Sequence, residues 1–366
     1  MSDRSFRVRR FEMSDVSGVV KLLKLAFVDS FSTEWWDWKY RLNPAGFWGG
    51  EGDIWIAENT SGEIIGHWAV LPEKIKFGSK TITVAQAVDA ATHPDYRGCG
   101  IFRTLVRNVC LDAKNRYVFV LGFPNELYRG YEKLGWKSFR TIEFLNFIDY
   151  DRPLKSYFRR NITFTLAKTA LKILRTTTYI STSFQLEKLT GCDIELEEVT
   201  TFPDEMNDFW KISRSEHEII LDRDSSFLNW RFHKHFGDYQ KFIARSKETG
   251  EITGYMVVKR TNMRGIKDIL DIVDLHALPC EDKSLIILIK FAIDIAKKGE
   301  FNIVHCRVPQ WHKYAKFLRK LKFVSVGRTF EYVGLYQPRL IIYPLEQEVS
   351  PNMGKWFYTL ADTDYA

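Results

Sequence analysis

The segment HPDYRGCGIFRTL, residues 93–105, combines residue types that suit the binding of an anion. Arg97 supplies a cationic side chain, and Gly98 and Gly100 have no Cβ atom to keep a ligand away from the backbone. Several backbone N–H groups can therefore converge on one ligand, and the unpaired amides of a following helix add to the attraction. The segment predicts a phosphate or diphosphate site, although a simple strand-to-helix turn also often needs glycine.

Such a site requires a strand before the loop and a helix after it, and the flanking sequence predicts both. The run KTITVAQAVDAATH is rich in Val, Ile and Thr, as strands are, and it ends near Thr92. After the loop, apolar residues recur at helical spacing, which predicts a helix beginning near Ile101. The apolar face of this helix comprises Ile101, Phe102, Leu105, Val106 and Val109.

The elements around the loop follow an order that is typical of a mixed sheet with helices packed on it. A capped amphipathic helix in MSDVSGVVKLLKLAF comes first, followed by strands in DIWIAEN and EIIGHWAVLPEKIKF. After the loop helix come a buried strand, YVFVLGF, and a short helix, NELYRGYEKLGW, which ends at Gly135. The predicted order α-β-β-β-α-β-α indicates an α/β protein with a mixed sheet.

The second half of the chain repeats features of the first half. WWDWKYRLNPAGF (35–47) is echoed by FLNWRFHKHFGDY (227–239), and a strand-turn-strand signal follows each at a similar distance. YEKLGWKSF (131–139) is matched in the same order by FLRKLKFVS (317–325). Three matches in one order predict two copies of one fold.

The second copy does not repeat the anion loop. Its turn carries Pro279, Glu281 and Asp282 and has no glycine. Because two acids without glycine cannot form the same anion site, we expect this copy to support the fold or to line the acceptor site. We also consider that the terminal ADTDYA segment (361–366) reaches into the site of the first copy. The expected organisation is a first domain (1–150), a basic helical linker (151–200), a second domain (201–345) and a C-terminal tail (346–366).

The overall composition is that of a soluble globular protein, with 45% hydrophobic and 27% charged residues among 366. The net charge of +7 suits an anionic ligand, nucleic acid or an acidic membrane, and it equally suits a merely soluble protein. The five cysteines form no C-x-x-C pair or Cys/His cluster, so neither a disulfide framework nor a metal site is indicated. No apolar run approaches the ~18 residues of a membrane span, and the N-terminus lacks the apolar core of a signal peptide. We therefore expect a reduced, cytoplasmic protein.

The region 152–175 within the linker contains seven basic and no acidic side chains, with apolar residues near helical spacing. A basic amphipathic helix can lie on an anionic membrane surface. It can equally pack between domains with its charges in water. Peripheral membrane contact through this segment therefore remains open.

The anion loop resembles motif A of the GNAT acetyltransferases, whose R/Q-x-x-G-x-G/A pattern holds the diphosphate of acetyl-CoA. Arg97, Gly100 and Phe102 stand at its three defined positions, with Phe102 where Gly or Ala is usual. NELYRGYEKLGW is similar to the family's N-x-x-x-x-x-Y-x-K-x-G-F segment, with Trp136 in place of Phe. The resemblance covers residues 5–150 and implies that this domain binds acyl-CoA. The whole chain is similar to tandem GNAT proteins of polysaccharide-biosynthesis loci, which implies two GNAT-like domains, each a mostly antiparallel sheet flanked by helices.

The resemblance also implies roles for individual residues. Tyr131 matches the general acid that protonates the CoA sulfur, with a core tyrosine as the alternative, and Tyr128 lies one helical turn earlier. Asn125 matches a position that bonds the cofactor arm, or else it is a helix cap. A backbone N–H near Val88 to Ala91 would stabilise the oxyanion. The expected cofactor-binding residues are Val88, Ala90, Ala91, Arg97, Gly98, Cys99, Gly100, Ile101, Phe102, Asn125 and Tyr128.

The general base and the acceptor site are less defined. Asp89, His67 and His93 are the candidate bases, with shaping of the His-Pro turn as the alternative for His93. Asp89 ranks first, because a carboxylate inside an apolar strand is costly unless it faces a cleft or a partner. Many enzymes of this family deprotonate the amine through water, so a dedicated base is not required. The stretch after the first helix, where GNAT proteins usually read the acceptor, combines aromatic and acidic residues that suit an amino sugar, with core anchoring as the alternative. These acceptor candidates are Glu34, Trp35, Trp36 and Asp37.

The expected function is therefore acetyl-CoA-dependent N-acetylation of a small amine, for which an amino sugar is one candidate, by direct attack in a ternary complex. A Fem-type aminoacyl transferase is an alternative that would explain the positive charge, but it would not need an intact CoA loop. A non-catalytic acyl-CoA-binding protein is the third class. We expect no nucleic-acid partner, and the oligomeric state stays open.

Overall fold

The computed structural model describes residues 5–27, 31–46, 53–124, 127–148, 193–233, 237–263, 266–326, 339–345 and 353–363. These residues form two compact units. The first comprises the described residues within 1–140, 219–222 and 338–353, and the second those within 141–218, 223–337 and 354–366. The basic segment 152–175 lies outside the described residues. None of the described helices is long and apolar enough to cross a membrane.

The strands and helices have the following bounds. The strands are β1 (Phe6–Arg10), β2 (Ile54–Asn59), β3 (Ile64–Phe77), β4 (Lys80–Thr92), β5 (Phe119–Gly122), β6 (Lys137–Arg140), β7 (Glu143–Phe147), β8 (Ile194–Val199), β9 (Ile219–Leu221), β10 (Tyr239–Ser246), β11 (Ile252–Met263), β12 (Ile266–Ala277), β13 (Ile303–Arg307), β14 (Val324–Val326) and β15 (Arg339–Pro344). The helices are α1 (Val16–Ala26), α2 (Thr33–Trp36), α3 (Ile101–Ala113), α4 (Tyr128–Glu132), α5 (Met206–Ser213), α6 (Ser225–Arg231), α7 (Asp282–Lys298) and α8 (Lys313–Lys320).

Each unit is built on one mixed sheet. The first sheet has the order β1-β2-β3-β4-β5-β15-β6, and β9 pairs with the far part of β3. The second sheet has the order β8-β10-β11-β12-β13-β7-β14. The pairs β4·β5 and β12·β13 are parallel, and the other neighbouring pairs among the described strands are antiparallel. The predicted fold, two mixed and mostly antiparallel sheets flanked by helices, is confirmed.

Both sheets include strands from the other half of the chain, namely β15 and the short β9 in the first sheet and β7 in the second. In the first sheet, β15 lies between β5 and β6, although it follows the whole second sheet in sequence. In the second sheet, β7 lies between β13 and β14, although it follows β6 after only Thr141 and Ile142. β15 in the first sheet and β7 in the second both lie next to the last strand of the order, so the exchanged strands occupy equivalent places. Neither unit is therefore one continuous stretch of chain. The expected boundaries at 150 and 201, in contrast, divide the chain into continuous stretches.

Two apolar layers cover opposite faces of the first sheet. Alternate residues of β3 belong to different layers, with Trp68 and Val70 in one and Ala69 and Leu71 in the other, as the pleat of a strand requires. The first layer holds α3, whose buried face confirms the prediction except that Phe102 is only half-buried. The second layer holds α1 and Trp36.

The described end of the chain packs in the second unit. Trp356 and Phe357 are fully buried there, and Asp362 pairs with Arg223 at 2.5 Å, both side chains being inaccessible to solvent. Residues 361–363 therefore pack as part of the second unit. Residues 364–366 lie outside the described part of the chain.

Candidate active site

The anion loop lies between the end of β4 and the start of α3. After Thr92, a short 3-10 turn spans Pro94–Tyr96, and the His93 ring accepts a hydrogen bond from the Asp95 amide. Gly98 and Gly100 then adopt φ values of +83° and +90°, a region that side chains with a Cβ rarely occupy. These two glycines turn the chain sharply enough for α3 to begin at Ile101.

The loop is open to a ligand. A Cβ atom placed on Gly98 or Gly100 would meet no atom within 4 Å. The amide of Cys99 donates to the Tyr96 carbonyl, whereas the amides of Gly98 and Gly100 have no partner among the described residues. The first amides of α3 also lack intrahelical acceptors, as at the start of any helix. Several N–H groups are therefore available beside the exposed Arg97, which is the arrangement that a diphosphate requires.

Strands β4 and β5 separate on the way to this loop. Their parallel pairing covers only Ala85 with Val120 and Gln86 with Leu121. From Ala87 to Thr92, β4 continues without a partner in β5. Among the described strands, none pairs with this edge of β4 beyond Gln86, so its backbone can bind an extended ligand that leads away from the loop.

A bulge in β4 lies along this free edge. Pairing with β3 runs from Ala69 with Val88 to His67 with Ala91, so that Asp89 and Ala90 together oppose Trp68. Asp89 has a φ of +50°, which is uncommon for a residue other than glycine. Bulges of this kind redirect side chains next to functional sites.

The bulge turns the Asp89 side chain into a buried charge pair. One carboxylate oxygen is 2.9 Å from Lys39 Nζ, and the other accepts a hydrogen bond of 2.5 Å from the Tyr40 hydroxyl. Lys39 Nζ also lies 4.7 Å from the centre of the Trp35 ring. Lys39 and Tyr40 belong to a π-helical turn, Asp37–Arg41, that directs both neighbouring side chains inward. Asp89, a predicted candidate base, thus meets Lys39 and Tyr40 of the repeated segment 35–47 (the W-K-Y repeat, residues 38–40) in one cluster.

His67 faces the same cluster from β3. Its Nδ1 atom is 2.8 Å from the carbonyl oxygen of Asp89, and Nε2 is buried without a partner among the described residues. Burial lowers the pKa of His67, which favours the neutral ring. The bond to a carbonyl assigns the proton to Nδ1 and leaves the lone pair on Nε2.

Tyr131 lies on the opposite side of β3. Its hydroxyl oxygen accepts a hydrogen bond of 2.8 Å from Nε1 of Trp68. The ring contacts Phe102, with centroids 5.0 Å apart, and Trp136, at 4.9 Å. Phe102 therefore turns its ring from the loop into the α3–α4 contact, as expected for a bulky residue at that motif position.

The other predicted donor-site residues are distributed as follows. Val88 and Ala91 are buried against the α1 layer, and Ala90 packs toward α3. Tyr128 lies under the guanidinium of Arg339, 4.1 Å from the ring centre. Asn125 lies outside the described residues.

The four acceptor candidates do not form one surface. Trp36 is fully buried and stacks between Phe11 and Tyr40, so it anchors the core, the alternative considered for these tryptophans. Glu34 is exposed, and Asp37 pairs with Arg41 at 3.0 Å. Trp35 is half-buried above Lys39. Glu34, Trp35 and Asp37 are therefore accessible to a ligand, whereas Trp36 is not.

The second unit keeps the charge pair and lacks the loop. Asp274 follows Val273 at the bulge of β12, as Asp89 follows Val88, and it binds Arg223 at 3.0 Å and the Tyr255 hydroxyl at 2.7 Å. The turn that follows contains Cys280 at a φ of +65° and no glycine. A buried aspartate with a cation is thus common to both units, which indicates a structural contribution of this pair.

Comparison with known proteins finds a family match within the first unit. Residues 7–139 match the model of an acetyltransferase (GNAT) domain. No curated protein sequence matches the chain.

Several solved structures share the fold of the chain. A probable N-acyltransferase of unknown function from Enterococcus faecalis is 13% identical over 93% of this chain and 73% of its own, with a TM-score of 0.61. A GCN5-related N-acetyltransferase from Anabaena variabilis is 15% identical over 93% and 73%, with a TM-score of 0.59. The N-myristoyltransferase of Saccharomyces cerevisiae with bound myristoyl-CoA is 14% identical over 94% and 79%, with a TM-score of 0.57. At these identities the likeness concerns the fold.

Proposed function

We propose that this acyltransferase, whose residues 7–139 match a GNAT domain, is an acetyl-CoA-dependent N-acetyltransferase that acts on a small amine. The observation that carries the proposal is the open loop at the end of β4, where Gly98 and Gly100 present unpartnered amides beside the first turn of α3. The loop stands at the end of a strand whose free edge can guide the donor arm.

Each part of the donor has a matching group in the first unit. The loop amides and Arg97 suit the diphosphate, because N–H groups at a helix start favour an anion. The free edge of β4 offers backbone donors and acceptors to the amide-containing arm, as a sheet edge does to a peptide. A backbone N–H of the segment from Val88 to Ala91 would then stabilise the negative charge that develops on the thioester oxygen.

Two proton transfers complete the reaction. The amine nitrogen forms a bond to the carbonyl carbon, and the bond between that carbon and sulfur breaks. Tyr131 donates its hydroxyl proton to the departing thiolate, which neutralises the negative charge that develops on sulfur. The acceptor nitrogen loses one proton to a base and becomes the amide.

The geometry favours His67, or water, over Asp89 as that base. If Asp89 took the proton, the buried ion pair between Asp89 and Lys39 would lose its negative partner, which is unfavourable. His67 is neutral because of its burial, and its Nε2 lone pair has no other partner among the described residues. Asp89 then acts by holding Lys39 and Tyr40 and by presenting its carbonyl oxygen to His67.

The accessible residues near α2 support a polar amine as acceptor. Glu34 and Asp37 carry carboxylates that attract an ammonium group, and the Trp35 ring offers an apolar face of the kind that sugars stack on. The similarity to tandem proteins of polysaccharide-biosynthesis loci makes an amino sugar the first acceptor to test.

The test is thiol release from acetyl-CoA in the presence of amino sugars, polyamines and amino acids, with longer acyl-CoA donors in parallel. We expect turnover with at least one amine and a decrease of about 10²- to 10⁴-fold in kcat for Tyr131→Phe, the usual contribution of a general acid. Tight CoA binding without turnover on any amine would favour a non-catalytic acyl-CoA-binding protein. Absence of CoA binding would refute the proposal.

A further inference from the structure

We propose that Trp68 is a positioning residue that fixes the direction in which Tyr131 gives up its proton. The inference rests on the proposed function, in which Tyr131 protonates the departing thiolate. The GNAT resemblance assigns no role to Trp68, which belongs to neither of the two matching motifs.

In the hydrogen bond between the two side chains, only Trp68 can be the donor. Trp68 Nε1 lies 2.8 Å from the Tyr131 hydroxyl oxygen, and the two residues are 0% and 3% exposed. An indole N–H can only donate, so the hydroxyl oxygen must be the acceptor in this bond. The hydroxyl proton is consequently directed away from the indole, and in the proposed reaction its acceptor is the departing thiolate.

The same bond becomes stronger as the reaction proceeds. When Tyr131 gives its proton to sulfur, negative charge develops on the oxygen that accepts from Trp68. A hydrogen bond to a charged oxygen is about twice as strong as one between neutral groups. The indole therefore contributes more to the transition state than to the bound substrate, and its loss should appear in kcat rather than in KM.

Trp68 occupies a distinctive place in the sheet, next to the bulge in β4. Asp89 and Ala90 together oppose Trp68, so the bulge lies directly across from the indole-bearing residue. His67, the adjacent residue, faces the other side of the sheet and bonds the Asp89 carbonyl. Two consecutive residues of β3 thus lie on opposite faces of the sheet, with His67 as the proposed base on one face and Trp68 bonded to the proposed acid, Tyr131, on the other.

The chain contains a matched control in Trp136. Its ring also packs on Tyr131, with centroids 4.9 Å apart, and it is 3% exposed. Its Nε1 atom, however, makes no hydrogen bond to any described residue. Trp136→Phe therefore removes similar packing around Tyr131 without removing a hydrogen bond to its hydroxyl group.

The experiment compares Trp68→Phe with Trp136→Phe in the full-length protein, using thiol release from acetyl-CoA with an active amine or with water. We expect Trp68→Phe to lower kcat by about 10- to 30-fold at nearly unchanged KM, the rate equivalent of one strengthened hydrogen bond. Trp136→Phe should change kcat by less than about threefold, since only packing is altered. In the Tyr131→Phe background, Trp68→Phe should have no further effect on kcat, because the two residues act as a unit.

A second variant protects the test against loss of folding. Benzothienylalanine at position 68 keeps the bicyclic ring and replaces the N–H by sulfur, so it should reproduce the lower kcat and lower the melting temperature no more than Trp68→Phe does. Equal kcat values for the Trp68 and Trp136 variants, or additive effects of the Trp68 and Tyr131 substitutions, would overturn the inference. A wild-type protein that binds no CoA would instead refute the proposed function, which separates the two failures.

Discussion

Substitution of Gly100 by alanine tests the anion loop with little disturbance of the fold. The φ of +90° at Gly100 would strain an alanine by about 1–2 kcal/mol, while the added methyl group would meet no protein atom within 4 Å. The chain should therefore still fold. The methyl group would, however, occupy the open space that a bound diphosphate needs beside the loop amides.

The expected loss of affinity follows from one displaced phosphate oxygen. A hydrogen bond from an amide to a charged group contributes about 1.5–3 kcal/mol. Loss of one such bond raises the dissociation constant for CoA by about 10- to 150-fold. Calorimetric titration of the full-length protein with CoA measures this change directly.

Gly78→Ala is the matched control for backbone strain. Gly78 has a φ of +60°, its Cβ would also meet nothing within 4 Å, and it lies in the β3–β4 turn at the opposite end of β4 from the loop. It should lower the melting temperature to a similar extent and leave CoA affinity unchanged. If Gly100→Ala bound CoA as tightly as the control variant, the loop would not be the diphosphate site.

Three further predictions concern buried side chains that are charged or can become charged. Lys39→Met leaves the Asp89 carboxylate buried without its cation and should lower the free energy of unfolding in urea by about 3–5 kcal/mol; a loss below about 1 kcal/mol would mean that the pair is solvated. Arg223→Leu, which removes the cation bound to Asp274, should destabilise the second unit by a similar amount of about 3–5 kcal/mol, and a wild-type urea midpoint would contradict the account. Burial lowers the pKa of His312 to about 3, so the stability that its neutral ring contributes is complete above the unfolded pKa of about 6.5 and is lost as the pH falls toward 3. His312→Asn should accordingly reduce the slope of unfolding free energy against pH in this window by about 1.4 kcal/mol per pH unit, and an unaltered slope would show that folding does not lower the pKa of His312.

Much of the fold can be read from local sequence pattern. The apolar spacing from Ile101 onward predicts the buried face of α3, and the alternating runs predict β2, β3 and β4. The pattern does not reveal which sheet a strand joins. The stretch RLIIYP of β15 pairs with β5 and β6 of the first sheet, a choice that depends on contacts far apart in sequence.

The site was predictable where backbone conformation alone creates it. Gly98 and Gly100 predict the loop, because glycine is the residue that favours positive φ. The burial of Lys39 could not be predicted, since a W-K-Y repeat says nothing about the bulge that brings Asp89 to it. Trp68 was missed for the same reason, as its partner Tyr131 is remote in the chain and only the folded sheet joins them.

The most direct test is to follow backbone amide signals of the protein labelled with ¹⁵N-glycine during titration with CoA, using Gly98→Ala and Gly100→Ala to assign the two loop signals. We predict that the Gly98 and Gly100 amides shift strongly as their N–H groups bind the diphosphate, while Gly250, in the β10–β11 turn of the second unit, does not move. Saturation with CoA that leaves both loop signals in place would contradict the account.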